Sequence, residues 1–215
     1  MKSLVLKDLY NIKHNSKSMI FMLLIFVVCL MPSTGVEGYI VGSSVLCSMM
    51  IATTFSFDEH SKWTRFALVM PVSRKDVVIA KFVALAIFCI VGSLFGMIFG
   101  SACGLVMKKI TLVPEQFLEL LLVTLAAAMI AVIFGGTSIP LLFKYGAEKG
   151  RMLVIVSVLV PAGIGFGIYK LLSLLGVGFT DQLIISIICC SPFIAFLWSY
   201  IMYRISYYIF SKQEL

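Results

Sequence analysis

The chain has 215 residues, of which 61% are hydrophobic and 13% charged, with a formal net charge of +7. An ordinary soluble domain carries roughly 25% charged residues, so this composition excludes a water-soluble fold. The apolar residues come in long runs rather than in the alternating segments of about 10 residues that mark an outer-membrane barrel, and a helix needs about 20 such residues to cross a hydrocarbon core. The sequence therefore predicts an all-α integral membrane protein.

Residues 1–16 read as an amphipathic helix. Ser3, Lys7, Asn11 and His14 share a polar face, and Val5, Leu9 and Ile12 with Leu6 and Tyr10 line the other. Such a helix lies in the membrane interface; the plainer alternative is a solvated lead-in to the first span. Lys2 and Lys7 before an apolar run also resemble a signal peptide, but the run ends at Met31 and Pro32 without a small-residue cleavage site, so the segment is read as retained.

Six transmembrane spans are predicted at about 18–36, 39–57, 82–106, 117–143, 152–172 and 183–210. Span three carries Gly92, Gly96, Gly100 and Gly104 at every fourth position, a stripe along which another helix packs closely. Ordinary packing within one subunit is preferred there to a dimer motif. Pro140, Pro161 and Pro192 fall inside spans four, five and six, where each removes a backbone donor and favours a kink. The stretch 173–181, with Gly176 and Gly178, is apolar enough to be a re-entrant piece or a short outer helix. Span six ends in Trp198, Tyr200, Tyr203, Tyr207 and Tyr208 around Arg204, the pattern of an interfacial aromatic belt. With no internal repeat and no long linker, residues 1–215 read as a single transmembrane domain.

Six spans place both termini on one side. Of the 17 Lys and Arg residues, all but Lys108, Lys109 and Lys170 fall on that side, which the positive-inside rule assigns to the cytoplasm. The basic excess then faces anionic headgroups and cytoplasmic partners, and no nucleic acid is needed to explain it.

The spans lack Asp, Glu, Lys, Arg and His at mid-depth, where a membrane enzyme or an ion-driven transporter usually needs them. Glu37, Glu115, Glu119 and Asp181 lie near outer ends. His14 and His60 are the only histidines and form no metal motif, and no histidine or lysine in a span activates Ser43, Ser44 or Ser48. All six cysteines lie within spans, where they act as small hydrophobes. The segment from Gly146 to Arg151 has the wrong spacing for a phosphate-binding loop, so the chain has no ATP-binding motif of that kind.

The segment 58–81 is the most structured inner loop. Trp63, Phe66, Ala67 and Met70 recur at helical spacing, Pro71 stops that helix, and Ser73 caps the next one, which opens with Arg74, Lys75 and Asp76. Two short helices joined at Pro71 would form a compact knob.

Here the chain resembles the permease subunits of type-2 ABC exporters, whose corresponding loop carries a Leu-Pro-Val-Ser-Arg-like turn before span three. This chain has Met70 where leucine is usual, followed by Pro71, Val72, Ser73 and Arg74. The resemblance extends over essentially the full length. It implies that residues 58–81 are a coupling loop docking on an ABC ATPase, with Trp63, Arg65, Phe66, Pro71, Ser73, Arg74, Lys75 and Asp76 as its working residues. It further implies a second permease subunit, either a homodimer or a sibling permease. ATP and Mg would be bound by the partner ATPase, with no cofactor in this chain. The expected location is the bacterial cytoplasmic membrane.

Uncharged spans favour an amphipathic or hydrophobic substrate. Compact relatives of this kind include exporters of phenol-soluble modulins and other membrane-active peptides, so peptide export, with a role in antimicrobial peptide resistance, is the leading expectation. Export of a hydrophobic drug or lipid, or a non-transporting membrane anchor for a partner protein, are the alternatives. A membrane enzyme would need a polar constellation that the sequence does not offer.

Overall fold

The computed structural model describes residues 2–63, 66–67, 73–107, 114–152, 154–174 and 181–212, and its long elements are all helices. In chain order these are α1 (Lys2–His60), α2 (Arg74–Val106), α3 (Pro114–Met152), α4 (Val154–Leu174) and α5 (Asp181–Ser211). Four helices, Lys17–His60, Arg74–Val106, Gln116–Gly150 and Ile185–Ser211, are long and apolar enough to cross a membrane.

Two of these helices contain a break that reverses the chain. In α1, Gly35 has φ 75° and ψ −169°, a left-handed φ that glycine adopts without Cβ strain. The Tyr39 hydroxyl donates to the Leu23 carbonyl at 3.4 Å. In a straight helix 16 residues would separate these groups by about 24 Å, so α1 is a hairpin of two antiparallel arms, 2–34 and 36–60. In α3, Gly146 has φ 77° and ψ 175°. Beyond it the chain returns along α3: Thr137 Oγ1 donates to the Ser157 carbonyl at 3.0 Å, and Ser138 Oγ donates to Ser157 Oγ at 3.0 Å.

The first arm departs from the expectation of a separate interfacial helix over 1–16. It runs helically from Lys2 to Gly35 without interruption, because no glycine or proline precedes Pro32 to break it. Its buried face also differs from the expected one. Leu4, Asp8 and Ile12 are buried, one turn apart, while Leu6 and Tyr10 are exposed. The face is set by what α1 meets at that end, a group of charged residues, rather than by hydrophobicity alone.

The core has two parts. Near the chain ends, Ile12, Ile51, Phe55, Val78, Leu85, Phe88, Leu142, Phe143 and Phe210 pack together, with Phe55 edge-on to Phe143 at 4.8 Å between centroids. Near Gly35, Val27, Met31, Val36, Tyr39, Ile40, Leu120 and Ala127 form the second. Apart from these seams, large apolar side chains such as Val28, Ile98, Leu118, Leu159 and Phe196 face outward, as they do where the solvent is lipid.

Candidate functional site

The arms of α1 and the start of α2 converge on a buried ionic cluster. Lys81 Nζ lies 2.6 Å from Asp58 Oδ2 and 3.0 Å from the Asp8 carboxylate, and donates to Thr54 Oγ1 at 3.1 Å. Lys7 pairs with Asp58 on its other oxygen and lies 3.4 Å from Asp8. Asp8, Lys81 and Asp58 are 1%, 3% and 6% exposed. Two lysines and two aspartates balance, so the cluster carries no net charge into the protein, and every one of the four finds an opposite partner. Burial pushes the Asp8 carboxyl up from its ordinary 3.8, against the pull of Lys81 and Lys7. Lys81 precedes the far end of α2 at Val106 by about 38 Å. That is longer than a hydrocarbon core of roughly 30 Å.

The cluster closes the base of the segment 58–81. Asp58 ends α1 and Lys81 lies two turns into α2, so their contact pins together the two stems of everything between them. Trp63 is fixed from the same side, with Lys7 Nζ 3.4 Å from its ring centroid, a cation–π contact that holds the indole against the first arm.

The start of α2 is set locally and then tied to α5. Ser73 Oγ accepts the Asp76 backbone N–H at 3.1 Å and donates to the Asp76 carboxylate at 2.8 Å, an N-terminal cap with an acidic residue in the first turn. Arg74 donates to the carbonyls of Phe210 at 3.0 Å and Ser211 at 2.7 Å, satisfying carbonyls that the end of α5 would otherwise leave unpaired. Lys75 Nζ stands 5.7 Å from the Tyr207 ring centroid. Phe66 is 63% exposed. Arg65 and Pro71 lie outside the described residues.

Glu59, beside Asp58, turns the other way. Its carboxylate accepts the Ala147 backbone N–H at 2.6 Å, just past the break at Gly146. The chain resumes its helix there with unpaired N–H groups, and a carboxylate at a helix start is favoured both as an acceptor and by the helix dipole. Neighbouring aspartate and glutamate thus lock the end of α1 to α2 and to the α3 turn.

The glycine stripe of α2 faces the second arm of α1. A Cβ at Gly92 would fall 2.5 Å from Cys47 Cβ. One at Gly96 would fall 2.1 Å from Ser43 Oγ and 3.1 Å from Ile40 Cα, and one at Gly100 would fall 3.1 Å from the Tyr39 ring. Gly104 is also buried. Ser43 Oγ crosses the seam to the Gly92 carbonyl at 3.3 Å.

Sequence reasoning passed over Asp8, Thr54, Asp58, Glu59 and Lys81. One signal was available: Asp8 stands midway between Leu4 and Ile12 on a single helical face, and a charge on an otherwise apolar face announces a buried partner. Its buried partner, Lys81, lies 73 residues further on, beyond the reach of local pattern.

Openings also flank the bundle among the described residues. A groove of about 480 Å³ runs between α2, α3 and α5 and is lined almost wholly by apolar side chains. A smaller opening of about 360 Å³ at the Gly35 turn is lined by Glu37, Gln116 and Glu119.

A family model described as ABC-2 family transporter protein matches residues 3–211. No curated protein and no solved structure matches.

Proposed function

The chain belongs to the ABC-2 transporter family, and from that membership we propose that it is the permease of an ATP-driven exporter of amphipathic or membrane-active peptides. A separate ABC ATPase binds ATP and Mg, and a second permease, either another copy or a sibling, completes the pathway. The protein is multi-pass in the bacterial cytoplasmic membrane with both termini inside. Each arm of α1 spans once, α2 and α3 span once each, and α4 and α5 complete six spans.

The observation that carries this reading is the pinned base of 58–81. A loop that transmits force from an ATPase needs a stiff root, and Asp58, Lys81 and Asp8 provide one by joining both stems to the first arm. Trp63, Arg65, Phe66 and Pro71 belong to the docking knob, with exposed Phe66 as an apolar anchor. Ser73, Arg74, Lys75 and Asp76 set the angle at which α2 leaves it. Movement of the knob then reaches the glycine seam directly, because α2 is one continuous helix from the cap at Ser73 to Val106. The uncharged character of the spans supports the substrate class. Co-purification with candidate ATPases, followed by ATP hydrolysis measured with and without amphipathic peptide, tests the reading. A stable complex with peptide-stimulated hydrolysis supports it, and failure to bind any ABC ATPase overturns it.

A further inference from the structure

The groove between α2, α3 and α5 is open to the surroundings of the bundle. Its walls include Phe82, Val83 and Ala86 from α2, and Pro192, Ala195 and Tyr203 from α5. Pro192 contributes to its shape: it leaves α5 without one backbone donor and crowds the preceding turn, at the far end of the groove from the tyrosines.

An aromatic ladder leads out of the groove toward the end of the bundle where the ionic cluster lies. Phe82 meets Tyr203 edge-on at 6.3 Å, and Tyr203 stacks with Tyr207 at 6.5 Å and 19°. Lys75 Nζ stands 5.7 Å from the Tyr207 centroid. Lys75, Ile79, Phe82 and Ala86 follow one another at helical spacing on one face of α2, so the same face that lines the groove ends in an exposed cation. Among the described residues no carboxylate pairs with that ammonium group. Arg204, also exposed, lies one turn beyond the groove residue Tyr200 on α5.

We infer that this groove is a binding site for an anionic phospholipid, with an acyl chain between α2 and α5 and the phosphate at Lys75. The two ends of the site ask for different chemistry. The trench is almost entirely apolar and takes hydrocarbon. Its inner mouth carries tyrosines, which favour the headgroup level, and a lysine on a flexible stem that reaches a phosphate there. A zwitterionic lipid would fill the trench equally well but gain less at Lys75. The inference depends on membrane embedding and is independent of any ATPase.

Native mass spectrometry of the full chain, extracted from bilayers of equal phosphatidylglycerol and phosphatidylcholine, tests it. The wild type should retain phosphatidylglycerol preferentially. Lys75→Gln should lower that preference about fivefold, the factor expected from one basic residue near an anionic surface. Val83→Trp, at a half-exposed position in the groove wall, should reduce retention of both lipids while the protein keeps its melting temperature. Equal retention of the two lipids by the wild type, an unchanged preference in Lys75→Gln, or undiminished retention in Val83→Trp would each overturn the assignment.

Discussion

Lys81 and Asp58 meet at 2.6 Å across the base of the segment 58–81, each almost sealed from solvent, with Asp8 3.0 Å from the same ammonium group. Burying an ion pair stabilises little by itself, because desolvation offsets the attraction. Removing one member is another matter. Lys81→Met leaves two carboxylates facing Lys7 alone and should cost roughly 3–5 kcal/mol, read as a lowered melting temperature of the purified permease. The double variant Lys81→Met, Asp8→Leu leaves the Lys7–Asp58 pair balanced. It should recover part of the loss; a double variant no more stable than the single one would show that charge balance is not what the cluster supplies.

The glycine seam makes a graded prediction. Gly96→Ala drives a Cβ to 3.1 Å from the Ile40 backbone as well as into Ser43 Oγ, so the helices must separate. A loss of about 1–3 kcal/mol is expected from such overpacking. Gly136 is the control, since the nearest atom to an added Cβ is 4.0 Å away. Gly136→Ala should leave thermal stability unchanged or slightly raised, through its better helix propensity.

Glu59→Gln should weaken the cap on the helix that resumes after Gly146, and Glu59→Ala should remove it, at about 1 kcal/mol for the latter. Hydrogen exchange at the Ala147 amide is the direct readout. Faster exchange there in Glu59→Ala, with the amides of α2 unaffected, is the predicted pattern; unchanged protection would mean that the carboxylate contact contributes nothing.

The proposed topology makes opposite predictions for the two ends of the bundle. In a cysteine-free background, Glu37→Cys at the Gly35 turn should react with a membrane-impermeant maleimide added to intact cells. Ser61→Cys and Lys212→Cys should react only after the membrane is opened. Labelling of the Ser61 position in intact cells would reverse the orientation.

Much of this was legible in the chain. Long apolar runs announce helices at membrane length, and the cap at Ser73 and the start of α2 follow from residue type and spacing. The glycine stripe was visible as a packing surface, though not its partner, the 36–60 arm. The break in α1 falls between two apolar runs legible from hydropathy; the reversal itself rests on Gly35, a single residue whose backbone angle no periodicity reveals. What escaped was non-local. Leu6 and Tyr10 count as apolar in any helical projection, yet they face outward because Asp8 must reach Lys81. Glu59 meets the Ala147 amide only because the fold brings it there, 88 residues along the chain.

The central claim is that the knob rooted in Asp58 and Lys81 receives the work of an ATPase. ATP-dependent uptake of an amphipathic peptide into inside-out proteoliposomes, containing the permease and its ATPase, measures this most directly. The wild type should accumulate peptide only with ATP. Phe66→Asp, which alters an exposed side chain of the knob, should insert normally and lose most of that uptake. Uptake at the wild-type rate by Phe66→Asp, or equal uptake without the ATPase, would contradict the account.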